Sequence, residues 1–109
     1  MRFSDQWPCI EACNKCIAIC NHCMVSCLDE NDVTKMRDCI RLDLECINIC
    51  KAAVDFMSTG SNYTTAICQM CADICHACAD ECDKYDMDHC RECATACREC
   101  AEECMNMAA

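Results

Sequence analysis

Cys9-Ile-Glu-Ala-Cys13-Asn-Lys-Cys16-Ile-Ala-Ile-Cys20-Asn-His-Cys23-Met-Val-Ser-Cys27 decides the fold. Its cysteines are separated by four, three, four, three and four residues, the a/d heptad spacing that places all six on one face of an α-helix. Such a seam is ordinarily made of leucine and forms a buried core. Here it is made of thiols.

Working outward, Ser4 or Asp5 is placed to N-cap this helix, with Pro8 tolerated in its first turn. Asp29-Glu30-Asn31-Asp32 should end it near Leu28. A second helix over 32–58 carries Cys39, Cys46 and Cys50, and its phase continues through Met36, Asp43, Ala53 and Met57. Two further apolar rows flank that face, Ile40/Ile47/Val54 and Leu42/Ile49/Phe56, so the apolar arc is wider than one seam requires. The surplus serves either an oligomer contact or thicker joints within the bundle.

Ser58-Thr59-Gly60-Ser61-Asn62 is the clear break, with Gly60 suited to a left-handed helix terminus and Ser61 or Asn62 to the next cap. A third helix over 62–84 holds Cys68, Cys71, Cys75, Cys78 and Cys82. After the link Lys84-Tyr85-Asp86-Met87-Asp88, a fourth over 87–107 holds Cys90, Cys93, Cys97, Cys100 and Cys104. The first of these four helices covers 5–28. Short links between helices of this length predict an all-α, antiparallel up-down-up-down four-helix bundle, one cysteine-rich domain over 1–109. Six, three, five and five thiols would then line its core from end to end.

The totals exclude several classes. A net charge of −10 argues against nucleic acid, because phosphate binding needs a basic face. No apolar run reaches membrane-spanning length, and the opening Met-Arg-Phe-Ser-Asp-Gln-Trp-Pro has no apolar targeting core, so a reducing cytoplasm is expected. A secreted disulfide scaffold would be loop-rich, whereas this chain has one Gly, one Pro, long helical patterns and an odd number of cysteines. Thiols three or four apart on one helix are also poorly aimed for a disulfide torsion.

Nineteen thiols have no packing rationale, since Leu, Ile or Ala would fill the seams without a reactive group. Metal binding remains, and soft thiolates favour Cu(I), Zn and iron–sulfur clusters. Bacterial iron–sulfur runs share the local Cys-x2-Cys-x3-Cys spacing but end in Cys-Pro, and here no Pro follows any cysteine. A row of four-thiolate zinc sites, each carrying about −2, would accumulate buried negative charge. Cu(I) avoids this: if each ion takes two sulfurs and each thiolate bridges two ions, one monovalent ion replaces one thiol proton. Side chains at i,i+3 and i,i+4 lie about 5–6 Å apart at Cβ, near enough for two sulfurs to turn toward one near-linear ion. The sharpest reading of the cysteines is a high-capacity store for many Cu(I) ions. The rivals are a zinc or general heavy-metal sequestration protein, although Cys-x-Cys motifs are missing, and a thiol redox buffer. The pattern holds no acid/base pair and no nucleophile–base constellation, so no enzyme is expected.

Four cysteine-striped helices, Cys20-Asn21-His22-Cys23, Cys39-Ile40-Arg41-Leu42-Asp43, and the ending from Asp88-His89-Cys90 through Cys104 resemble the four-helix-bundle copper storage proteins, in particular their cytosolic branch. The resemblance covers essentially the whole chain. It implies Cu(I) bound along the core by the cysteine thiolates, admission through one open end, and a homotetramer. It also implies copper ions as the partner, delivered by a copper chaperone or a small thiol. Exported relatives carry a twin-arginine signal, which is absent here. Cytosolic members are rich in His at the link before the last helix, where this chain has Tyr85, Met87 and only His89.

His89 is in phase with Cys78, Cys82 and Tyr85 and adjoins Cys90, so it is a candidate ligand capping the tube. His22 and His76 lie off the seams and read as surface residues. Met36 and Met57 are in phase near opposite ends, as thioether stepping-stones or as packing. Asp43 is the anomaly, an inward carboxylate among thiols, expected to accept hydrogen bonds or pair with an arginine in preference to touching an ion. Trp7 and Phe3 should cover one end of the core. Because seams, apolar rows and caps do not depend on metal, reduced metal-free protein should already give a helical circular dichroism spectrum; a disordered spectrum would refute this.

Overall fold

The computed structural model describes residues 2–108. Four helices form where the heptad pattern places them: α1 (Trp7–Leu28), α2 (Arg37–Ser58), α3 (Thr64–Cys82) and α4 (Asp88–Ala108). Contacts α1–α2, α2–α3, α3–α4 and α4–α1 close them into a ring, the antiparallel up-down-up-down bundle expected from short links. The rod measures 47 × 17 × 17 Å. Its axis is filled by the seams, and every one of the nineteen cysteines is buried, none more than 1 % exposed.

The ends of the helices differ from the sequence reading in detail. Ser4 and Asp5 do not cap α1; they lie within a 3-10 turn, Phe3–Gln6, in which the Arg2 backbone N–H donates to the Asp5 carboxylate at 3.2 Å. Likewise a 3-10 turn, Val33–Met36, precedes α2. The third helix is shorter than 62–84 at both ends. Ser61 still acts at its start, its Oγ accepting the Tyr63 N–H at 3.0 Å, while the Thr64 hydroxyl lies 2.8 Å from the Ser61 carbonyl. Tight i→i+3 bonds satisfy groups that an abrupt α-helical end would leave without partners.

Of the apolar rows on α2, Ile47 and Ile49 are buried, and Ile40, Leu42 and Val54 pack half-buried against the core. Ile47 and Ile49 thus thicken the joints within the bundle, while Ile40, Leu42, Val54 and Phe56 keep part of their surface exposed. On α3 and α4 the residues beside the seam are small, with Ala72, Ala79, Ala94, Ala96 and Ala101 all buried. Small flanking residues let two helices approach closely, which suits a core whose side chains are themselves small.

Trp7 and Phe3 do not cover the core end. They stack edge-to-face on each other, centroids 5.3 Å apart, and remain 46 % and 48 % exposed. Gln6, Met57 and Met107 are buried at that end instead. Gln6 sits three residues before Cys9, in phase with the seam, so the polar member of the stripe goes inward and the aromatic next to it does not.

Gly60 adopts φ +65°, and its backbone N–H bonds to the Met57 carbonyl at 3.2 Å as α2 ends. A Cβ built there meets no atom within 4 Å, so a side chain would add backbone strain alone. Gly60→Ala should lower stability by about 1 kcal/mol, with Gly60→Asn costing less, in urea unfolding of the reduced protein. Equal midpoints for Gly60→Ala and the parent would contradict the left-handed assignment.

Candidate metal centre

The seams meet across the axis as a continuous line of sulfur. Contacts between 3.5 and 3.9 Å lead from Cys9 through Cys104, Cys13, Cys100, Cys50, Cys75, Cys46, Cys16 and Cys20 to Cys93. Most of these steps cross between helices, which is why no single stripe shows them. Cys71 joins at Cys50 (3.8 Å) and Cys97 at Cys16 (3.7 Å). Cys68 lies at the Cys9–Cys104 end.

Several sets of four sulfurs lie mutually within 4.8 Å, among them Cys13/Cys71/Cys100/Cys104, Cys16/Cys46/Cys50/Cys75, Cys16/Cys20/Cys46/Cys97 and Cys20/Cys78/Cys93/Cys97. These sets overlap. Cys16 and Cys46 belong to two of them, as do Cys20 and Cys97. Isolated tetrahedral sites would need four sulfurs each to themselves, whereas overlapping sets suit ions held by bridging thiolates.

Asp43 occupies the place in the α2 seam between Cys39 and Cys46, and it is fully buried. Of the two structural roles expected for it, hydrogen bonding is the one it takes, and among the described residues no arginine pairs with it. The thiols of Cys93 and Cys78 donate to Oδ1 at 3.2 and 3.3 Å, and that of Cys39 to Oδ2 at 3.9 Å. Arg41, two residues before it, points outward and is exposed. Burial above all pushes this carboxyl up to about 11. Asp43 is therefore a neutral acid at pH 7, which removes the cost of an unpaired buried charge.

Beyond Asp43 the line continues through Cys39 to Cys27 at 3.8 Å and Cys82 at 3.7 Å, and from Cys27 to Cys23 at 3.9 Å. Cys23, Cys27, Cys39 and Cys90 form another set of four within 4.8 Å. His89 closes this end: its Nδ1 lies 3.6 Å from Cys23 Sγ, 3.6 Å from Cys90 Sγ and 4.0 Å from Cys27 Sγ. Burial pushes the Cys90 thiol up to about 12 and raises that of Cys27 as well. These thiols keep their protons without metal, so a binding metal ion must displace them.

Met36 is buried beside this end, and Met57 is buried at the other. His22 and His76 are exposed on the outer faces of α1 and α3. Two residues that the sequence reading passed over complete the His89 end. Glu81 is nearly buried and meets Lys84 Nζ at 2.9 Å and the Tyr85 hydroxyl at 2.8 Å; that hydroxyl also reaches the Lys35 carbonyl at 2.9 Å, tying α3 to the turn before α2. Glu30 lies 3.8 Å from His89 Nε2. The i,i+4 spacing of Glu81 and Tyr85 is a sequence signal, whereas nothing local announces Glu30.

Fold and site together define a metal-binding four-helix bundle whose interior is a chain of bridging-capable thiols. Residues 4–109 match the family model described as copper storage protein, and the chain belongs to that family. The Cu(I)-bound copper storage protein BsCsp3 is 51 % identical with a TM-score of 0.91, covering 99 % of this chain and 100 % of that one. A cytosolic copper storage protein from Streptomyces lividans, solved with five coppers, is 37 % identical with a TM-score of 0.92 over 97 % of this chain and 93 % of its own. The uncharacterized cysteine-rich protein YhjQ of Bacillus subtilis (strain 168) is 54 % identical over 81 residues, 74 % of this chain and 75 % of that protein.

The Asp43 assignment has a consequence for pH. Unfolded, an aspartate ionises near 4, so between there and about 11 the folded state holds one more proton than the unfolded state. The contribution of this group to stability then falls as pH rises, by at most about 1.4 kcal/mol per unit. Between pH 5 and 8 the urea midpoint of reduced metal-free protein should fall less steeply for Asp43→Asn than for the parent. Parallel curves would show that Asp43 is ionised in the fold.

Proposed function

We propose that this chain is a high-capacity Cu(I) store and buffer of the cytoplasm, with the ions held inside the bundle by cysteine thiolates. The observation that carries the reading is the overlap of the four-sulfur sets, in which Cys16, Cys46, Cys20 and Cys97 are each shared. The Cu(I)-bound and five-copper forms of its relatives support it, as does the cytosolic description of the Streptomyces protein. Among the described residues no helix is long and apolar enough to cross a membrane.

The ligand set we assign comprises all nineteen cysteines together with His89 Nδ1. A monovalent ion that displaces one thiol proton leaves the charge of the core unchanged, so the tube can fill without accumulating buried charge. The His89 end is assigned as the mouth, because there alone the sulfur line ends on an imidazole that is 14 % exposed at its side chain. Residues 1–109 act as one domain and catalyse no reaction. Copper reaches the mouth from a copper chaperone or a small thiol, and the chain assembles as a homotetramer, as the family resemblance implies.

Anaerobic titration of reduced protein with Cu(I) and, separately, Zn(II), against chromophoric chelators of known affinity, tests this. Saturation near one Cu(I) per cysteine, with about one proton released per ion and helicity retained, is expected. Tight uptake of only a few Zn(II) with no high-capacity Cu(I) phase would overturn it in favour of zinc sequestration. Reversible disulfide cycling without bulk metal uptake would favour the redox buffer.

A further inference from the structure

His89 can ligate an ion through Nδ1 only if that nitrogen carries no proton. A neutral imidazole has one N–H, and which nitrogen holds it depends on what each one faces. Nδ1 faces Cys23, Cys90 and Cys27 at 3.6, 3.6 and 4.0 Å. Nε2 is buried and has no hydrogen-bond partner, an unusual condition for a polar atom. The group placed to relieve it is Glu30, whose Oε2 stands 3.8 Å away, a few tenths of an ångström beyond a hydrogen bond.

Two features make Glu30 suited to that task. Its backbone N–H bonds to the Cys27 carbonyl at 3.2 Å, so the turn that carries the carboxylate is anchored to a thiol-bearing residue of the same cluster. Its side chain is 30 % exposed and lines a solvent-facing cavity of about 310 Å³ with Asp32, Met36, Tyr85 and Met87. One carboxylate thus spans from open solvent to the buried nitrogen, with room to swing the remaining distance.

We propose that Glu30 is a positioning residue for copper loading: its carboxylate accepts a hydrogen bond from the His89 Nε2–H, holds the imidazole in that tautomer, and so leaves the Nδ1 lone pair facing the outermost thiols, free for an incoming ion. The inference rests on the storage reading above. A carboxylate behind a ligating histidine orients the ring and strengthens it as a donor, and loss of such a partner typically costs 10–100-fold in metal affinity or activity. Capacity resides in the thiols, so Glu30 should govern how fast the first ions are taken and leave the final content alone.

The test uses reduced full-length protein, Cu(I)–bicinchoninate as donor, and nitrogen-15 histidine spectra in which exposed His22 and His76 serve as internal references. In the parent, His89 should show a protonated Nε2 and an unprotonated Nδ1. Glu30→Ala should mix the tautomers and slow transfer of the first equivalent about tenfold, with the final copper content unchanged. Glu30→Gln keeps an acceptor oxygen and should restore most of the rate, which separates hydrogen bonding from charge. In a His89→Ala background, Glu30→Ala should have no further effect. The proposal is overturned if Glu30→Ala keeps the parent tautomer or the parent rate. It is equally overturned if that substitution slows a His89→Ala protein as much as the parent, since the carboxylate would then act on the ion directly. A parent that takes up no copper in bulk would refute the storage reading, while the tautomer spectra would still decide the role of Glu30.

Discussion

Most axial positions in this bundle must both fill space and supply a sulfur, and much of the rest of the structure follows from that double demand. A thiol side chain is small, so a seam of cysteines buries less apolar area than the leucine seam it replaces. The deficit is met outside the axis. Ile10, Ile47 and Ile49 are buried on α1 and α2, each worth about 1.5–3 kcal/mol by transfer, and buried alanines on α3 and α4 let those helices close in. Bulk sits at the joints, and the middle is left to chemistry.

The same demand explains why Asp43 is tolerated. A carboxylate in a dry interior is costly when ionised, but ringed by Cys39, Cys78 and Cys93 it keeps its proton and exchanges hydrogen bonds with thiols. An arginine partner would have introduced a second large charged group into a space sized for sulfur. The carboxyl also joins the cluster beside His89 to the long line of thiols leading to Cys9, so the two stretches share a polar contact that is not a sulfur–sulfur one.

How legible these features were depended on how local their causes are. The helices were readable because the three/four spacing of Cys9 through Cys27 and of Cys90 through Cys104 is a property of one segment at a time. Gly60 was readable for the same reason, since a left-handed terminus needs only its own backbone. The expectations that failed involved neighbours in space. Ser4 and Asp5 read as caps, but the chain tightens into a 3-10 turn ahead of α1; Trp7 and Phe3 read as a lid, but they pair with each other. An aromatic pair at a chain end satisfies itself locally, and the in-phase Gln6 takes the inward position.

By itself, the sequence determined the all-α class, the number of helices, the face each turns inward and the filling of that face with thiols, because heptad periodicity is written along a single chain segment. Only the tertiary structure decided which sulfurs share a set, that the partners of Asp43 are thiols, and that Glu30 stands behind His89. Those depend on the axial register of one helix against another and on the path of the turns between them. Register comes from packing across helices, so no stripe read along one helix contains it.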